Sequence, residues 1–557
     1  MKKIALILAL VLLLTACASE KAYVPTGDGL ADVTRPSEAP TEPAVTAPGG
    51  LHLTDTGFTL AYYPNEGFNP YECLNINNRM LFSLLYQSLF TVDSSYRVEP
   101  QLCKSFTVTE DMTTYVFTLE RASFPDGTEL TAMDVVESLK QAKDSDYYEG
   151  RFAHIGKITE VEGNRVQIVT NLPMENLPLL LDIPIVRYGQ TESRTPQGTG
   201  PYVLEDTAEG MILRRRDNWW CDVQVPLTAR DVKLMVGEDP TQIRDEFEFG
   251  DVGLSTADPG SASYAAYRCD YELWDAETGI FLYLGCNIKS KVFSQAQVRV
   301  ALSYAIDRSG LLADCYNGFG SAATLPASPN SPYYDQNLAR QISYQPEVFR
   351  QALTEASMTG KTVRLLVNKD DSVRLQAARK IGQMLTDCGL VVEMLEHGYS
   401  DYRAVLRDGG FDLYLGQTKL SPNMDLTAFF QEDGALSWGG MDNAACLDMC
   451  EEALENSGNY MSLHQMILRN GQLVPVLFRS YAVYAARGLA KGLEPSRDNV
   501  FWYSMGKSME AARTVVPNEE LMSKARSIRV LGIGICPTHS EIDLLCKSVK
   551  YALRRVK

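Results

Sequence analysis

The sequence predicts an α/β fold, and three observations carry that expectation. Apolar residues alternate at strand period in several short stretches, recur at helical spacing in others, and the two kinds of stretch are interleaved along the chain. The interleaving begins at 113–120, where Tyr115, Phe117 and Leu119 share one face and Thr114, Val116 and Thr118 the other. A turn follows at Pro125-Asp126-Gly127. Thr131 then precedes Asp134 at the spacing of a reciprocal N-cap, ahead of the apolar stripe Val135, Val136 and Leu139. Residues 165–170 alternate again, and Gly198-Thr199-Gly200-Pro201-Tyr202 predicts a tight bend into the short apolar stretch Val203-Leu204. Ser294 and Gln297 have capping-box spacing before Val298, Ala301, Leu302, Ala305 and Ile306, which predicts one amphipathic helix ending at Asp307-Arg308. Residues 361–367 read as a strand, 373–388 as a helix closed by Gly389, and 390–395 as a second strand, together a β-α-β unit.

The length bounds the organisation. At roughly 100–200 residues per unit, 557 residues make several folding units, and 45% apolar with 22% charged side chains is a globular composition. A net charge of −18 repels phosphate backbones and anionic headgroups, so nucleic acid is not an expected partner. Small cationic or zwitterionic ligands remain open, because a cleft's local potential decides for them.

The amino-terminal end points to a compartment. Lys2 and Lys3 precede an apolar run from Ile4 to Leu14, too short to span a hydrocarbon layer of about 30 Å. It reads as an export signal. Leu14-Thr15-Ala16-Cys17 resembles the lipobox of bacterial lipoproteins, which implies removal of residues 1–16, a lipid on Cys17 and a membrane attachment through it. Residues 17–50 are rich in Pro, Ser, Thr, Glu and Gly and hold almost no large apolar side chain, so they are expected to be a disordered tether. The remaining cysteines show no disulfide framework. Cys446 and Cys450 lie four apart on an expected helix, where packing as small apolar residues is the favoured reading over a metal site.

Signatures of chemistry are missing. There is no Gly-x-Ser-x-Gly elbow and no His-Glu-x-x-His, and the Gly-Lys-Ser/Thr triplets at Gly360 and Gly506 lack the leading glycine of a phosphate loop. Gly532-Ile533-Gly534 runs into Cys536-Pro537, which defeats a dinucleotide fingerprint. No catalytic residue, cofactor or metal is therefore expected.

Four stretches in order resemble the family 5 extracellular solute-binding proteins of ABC importers, the oligopeptide- and dipeptide-binding group. They are 85–89 through 100–102 to 115–119 and 124–135; Gly198-Thr199-Gly200-Pro201-Tyr202; 298–308; and Phe411-Asp412-Leu413-Tyr414 leading to Asp425 and Phe429-Phe430. The resemblance runs from about residue 51 to 510. It implies a two-lobed clamp of the periplasmic-binding-protein kind with mixed sheets. Lobe one would comprise 51–278, including an extra subdomain at 72–183, with a return at 476–512. Lobe two would comprise 279–475, and the chain's two crossings between lobes would act as hinges. It implies a monomer that captures short peptides and hands them to permease and ATPase subunits, the peptide lying extended beside 417–423. Asp425 falls where the family places the acid that pairs with the ligand's α-ammonium, although Leu426 and Thr427 depart from the family pattern after it. Gln417, Asn423, Tyr414, Trp438, Asn69 and Tyr71 are further candidates to face ligand. The near alternative is a nickel or metallophore carrier, disfavoured by only five histidines, and beyond it a surface hydrolase or a peptide-sensing module. Residues 513–557 have no counterpart in the resemblance and no assigned role.

Overall fold

A computed structural model describes residues 52–53 and 59–518, apart from 223–224, 226–228, 261–268, 270, 492–494, 496, 498 and 502. The expected leader, Cys17, the tether and residues 519–557 of the unassigned tail lie outside the described residues.

Two long antiparallel strands, Tyr271–Cys286 and Leu473–Ala486, form the spine of an eleven-stranded sheet. The start of Tyr271–Cys286, as far as Trp274, alternates between buried and more open positions, so one face is covered there. From Phe281 onward every residue is buried, as in a strand covered on both faces. Between these two stretches the register breaks, from Glu277 to Phe281. Gly279 there takes φ +74°, a left-handed conformation that suits a residue without Cβ. The Thr278 hydroxyl donates to the Arg479 carbonyl at 2.8 Å and accepts the Ile280 N–H at 3.1 Å, which satisfies backbone groups that the ladder drops. A second shift, between Leu282 and Tyr283, places Pro475 opposite Tyr283, a position where a strand tolerates proline.

The sheet extends from this spine in two directions. Past Leu473–Ala486 lie Leu254–Ala257, Thr59–Tyr62, Asp231–Val236, Gly210–Arg215 and Tyr202–Thr207, and past Tyr271–Cys286 lie Leu413–Lys419, Thr362–Asn368 and Val391–His397. The two wings build on separate cores, one with Leu60, Leu213 and Val232, the other with Leu284, Leu365 and Ile381. The spine's two strands thus run between the two wings. Thr362–Asn368, the helix Ser372–Asp387 and Val391–His397 form the expected β-α-β unit with parallel strands.

A separate five-stranded sheet is ordered Arg513–Val516, Cys103–Thr109, Thr114–Leu119, Arg165–Thr170 and Ile155–Val161. Phe90, Phe106, Tyr115 and Phe117 pack ring on ring beneath it. The helix Ala132–Lys143 starts at the expected reciprocal cap, Thr131 N–H donating to Asp134 Oδ2 at 2.7 Å. Arg513–Val516, beyond the return expected to end at 512, pairs in parallel with Cys103–Thr109 and so continues this sheet.

One expected helix comes apart. Gln295, without a side-chain bond, caps Ala296–Leu302, while Ser294 Oγ donates to the Lys291 carbonyl. Asp307 does not end that helix; it caps a new one, Arg308–Tyr316, by accepting the Gly310 N–H at 2.9 Å. The reason is Arg308. Its guanidinium is buried and donates to the carbonyls of Ala323, Pro475 and Ser303, so the chain must turn inward at that point. Burial lowers the Arg308 pKa to about 10.

Candidate ligand cleft

Leu413–Lys419 pairs with the spine along its length, Cys286 opposite Leu413 through Ile280 opposite Lys419. On its other side Thr362–Asn368 pairs only with Leu413 and Tyr414. From Leu415 to Lys419 that edge has no strand neighbour among the described residues. The buried half of the strand is locked by size. Tyr414 stands opposite Gly285 and Tyr283 opposite Gly416. A Cβ at Gly285 would lie 2.1 Å from the Tyr414 ring, and one at Gly416 2.4 Å from the Tyr283 ring. The rings meet edge to face at 5.7 Å, with Phe411 and Phe429 completing the cluster.

The open half is polar and reaches the other lobe. Gln417 Oε1 accepts from Arg479 Nη1 at 3.0 Å. Arg479, at the register break, also donates to Asp258 of lobe one at 2.8 Å and lies 3.3 Å from Asp371, which caps Ser372–Asp387 in lobe two. Burial opposes the Arg479 charge, but Asp258 and then Tyr316 and Asp371 more than offset it, and its pKa is held above the ordinary value. Lys419 Nζ donates to the Tyr147 hydroxyl at 2.6 Å and sits 3.8 Å from the centre of that ring. Ser421 Oγ donates to the Gly150 carbonyl at 3.1 Å. Beside the break, buried Glu277 accepts from Tyr96 of lobe one and from Ser328 and Asn330 of lobe two.

Asp425 closes the series. Its Oδ1 accepts the Thr427 N–H at 2.8 Å, and its Oδ2 lies 2.9 Å from His154 Nε2, which is 3.1 Å from Thr427 Oγ1. The His154 and Asp425 side chains are 14% and 10% exposed, so water competes little with the pair. Burial works against an imidazolium, yet the Asp425 hydrogen bond and charge, with Glu451 beyond, raise the His154 pKa above its usual value. Burial likewise opposes the Asp425 carboxylate, and His154 followed by Thr427 outweighs it, holding the Asp425 pKa below the usual range.

These positions correct several expectations. Asn69 is structural: its amide donates to the carbonyls of Thr191 and Ser193 and its oxygen accepts the Tyr71 N–H. Tyr71 is buried, with its hydroxyl on the Pro184 carbonyl. Tyr414 belongs to the ring cluster, and Asn423 is 1% exposed, with its carbonyl held by the Tyr460 hydroxyl. Trp438 is half-buried beneath Arg403, whose guanidinium stands 5.0 Å from the ring centre. Gln417 and Asp425 do reach the seam between lobes, but Asp425 is already paired with a side chain of lobe one. His154, Lys419, Arg479 and Glu277 were missed. The His154–Asp425 contact joins positions 271 apart, and no local pattern announces such a pair. Cys446 and Cys450 are both buried on the helix Ala444–Glu455, and Cys446 Sγ accepts from the Asn470 amide.

Two sheet wings joined by two crossing strands, with polar side chains meeting across the gap, define a bilobed binding clamp. The family model for bacterial extracellular solute-binding proteins, family 5, middle part, matches residues 97–435, and the chain belongs to that family. Among its relatives is the glutathione-binding protein GsiB of Salmonella choleraesuis (strain SC-B67), 25% identical over 349 residues, which are 58% of this chain and 65% of that protein. The chain thus matches somewhat under two thirds of that relative's length. Among solved structures, the putative peptide binding protein AppA from Clostridium difficile superposes with a TM-score of 0.66 at 14% identity, covering 81% of this chain and 99% of that one. NikA from Brucella suis, in complex with Fe(III)-EDTA, gives 0.61 at 18% identity, covering 79% and 98%. These likenesses establish the two-lobed fold.

Proposed function

We propose that the chain is the lipid-anchored, extracytoplasmic receptor of an ABC importer, capturing short peptides between its lobes and delivering them to permease and ATPase subunits, with no chemistry of its own. The observation that carries the peptide reading is the edge from Gly416 to Thr418, which has no strand neighbour among the described residues and runs toward the contact of Lys419 with Tyr147. An extended peptide added there exchanges main-chain hydrogen bonds with the strand, which grips what all peptides share and leaves side chains to wet pockets. At about 3.3 Å per residue, such an edge suits a ligand of a few residues. The glutathione-binding relative and the peptide-binding neighbour support the same class of ligand.

Anchoring rests on Lys2, Lys3, the apolar run and Leu14-Thr15-Ala16-Cys17. No helix among the described residues is long and apolar enough to cross a membrane. Titration calorimetry of the full chain with di- to hexapeptides and glutathione tests the ligand class: heat from at least one peptide series is expected, and none from any would defeat it. Cys17→Ser is expected to release the protein from membranes of the producing cell, and retention there would defeat the anchor.

A further inference from the structure

The end of the helix Tyr460–Asn470 is drawn against the helix Ala296–Leu302. Gly471 makes the approach possible: it takes φ +61°, and a Cβ there would lie 2.6 Å from the backbone of Arg299 and Val300. Arg299 Nε then donates to the Asn470 carbonyl at 3.0 Å. Beside this join lies a cavity of about 310 Å³, open to solvent at exposed Gln341 and Arg469. Its floor is the start of the spine strand, Leu473 to Pro475. That size falls at the low end of small-molecule sites, roughly 300–1,000 Å³. None of the side chains that meet at the seam, Gln417, Lys419, Ser421, Asp425 or Arg479, lines it.

The walls divide by chemistry. Val300, Ile342 and Leu468 are half-buried and offer apolar surface. Tyr304, Gln341, Gln465 and Arg469 bring polar side chains that make no hydrogen bond among the described residues. No carboxylate lines the cavity, whereas two guanidinium groups do, those of Arg299 and Arg469. A third stands behind the wall. Buried Arg308 donates to the carbonyls of Ser303 and Pro475 and to the Ser303 hydroxyl, and both of those residues line the cavity. In a chain with 70 acidic and 52 basic residues this is a local reversal of sign. The seam differs. There Asp258 and Asp371 stand beside Arg479 and help to hold its pKa up, whereas burial lowers the Arg299 pKa with only the Cys286 thiol opposing it. Arg299 spends its printed bonds on the carbonyls of Phe293, Ser294 and Asn470 and makes no ion pair among the described residues.

We propose that this cavity is a second ligand site, separate from the cleft, that takes a small organic carboxylate with an apolar body. A guanidinium offers a carboxylate paired donors in a fixed fork, which is the role of Arg299 and Arg469 here. The amides of Gln341 and Gln465 supply further donors, and the body of the ligand rests on Val300, Ile342 and Leu468.

Equilibrium dialysis of the full chain with radiolabelled benzoate in a chloride buffer at neutral pH tests the site, with benzyl alcohol, benzylamine and acetate as competitors. One benzoate per chain is expected, with a dissociation constant of about 1 mM or tighter. Each competitor is expected to be at least about tenfold weaker. Arg469→Gln is expected to weaken benzoate about fivefold. Arg340→Gln, which removes an exposed charge that does not line the cavity, is expected to move it less than about twofold. No benzoate retained at about 10 mM overturns the site. Equal competition by the alcohol or the amine overturns the carboxylate, equal competition by acetate overturns the apolar body, and neither result needs a variant to fold. No loss in Arg469→Gln, or an equal loss in both arginine variants, puts the benzoate elsewhere and overturns the assignment.

Discussion

The two halves of Leu413–Lys419 are built on opposite principles. At Tyr414 and Gly416 the strand is held by shape: each tyrosine ring lies over the glycine facing it, and the rings of Phe411 and Phe429 pack against them. From Gln417 to Lys419, and on to Asp425, it is held by polar groups whose partners belong to the other lobe or to the crossing strand. Close-packed rings have one arrangement and tolerate no added volume. When the lobes part, the groups of such polar contacts regain hydrogen bonds to water, so the second half can open. One strand thus anchors a lobe at one end and forms the closing seam at the other.

The sharpest way to break this comparison is Gly416→Ala. Its Cβ would enter the Tyr283 ring at 2.4 Å, and a loss of about 3 kcal/mol in urea unfolding is expected, overpacking of this kind rarely being absorbed. A loss under about 1 kcal/mol would show that the rings have room to move. Next is Asn69→Ala. It leaves the buried carbonyl of Thr191 and the part-buried carbonyl of Ser193 without their donor and is expected to cost about 2 kcal/mol. Peptide affinity should stay unchanged. A selective loss of affinity instead would restore Asn69 to the ligand site.

Lys419→Met removes one seam contact. Stability is expected to change by less than about 1 kcal/mol, while the closed fraction seen by scattering falls. An unchanged closed fraction would separate Lys419 from closure. The smallest effect is that of pH. His154 has a raised pKa in the closed form, so its contribution to closure is fully present below the open-form value of about 6.5 and is lost as pH rises through the raised one. Asp425 has a lowered pKa, so its contribution is present above about 3.8 and is lost as pH falls through the depressed one. The ligand-free chain is therefore expected to be most closed at about pH 4–6.5 and to open as pH rises through the raised His154 value, with His154→Gln flattening that profile.

Much of the fold is legible in the sequence because its signals are local. The strand at Thr114–Leu119, the Thr131–Asp134 cap and the β-α-β unit depend on periodicity and spacing within a few residues. The helix at Ala296–Leu302 misleads for the same reason: apolar spacing continues through Ala305 and Ile306, while the buried Arg308 that redirects the chain finds its carbonyls at Ala323 and Pro475. The cleft is less legible. Tyr414 and Asn423 carry side chains that suit a ligand and are buried instead, and only the pairing with Gly285 across the sheet reveals why Tyr414 is. Asp425 stands at the seam, yet its partner is a histidine that sequence spacing could not supply, because the subdomain bearing it folds back over the opposite lobe.

Small-angle X-ray scattering from the full chain, before and after saturation with its tightest-binding peptide, tests the clamp directly. The radius of gyration is expected to fall and the peptide-bound curve to match the closed arrangement in which His154 reaches Asp425. Superimposable curves from samples in which calorimetry shows the peptide bound would contradict closure of two lobes on an extended guest.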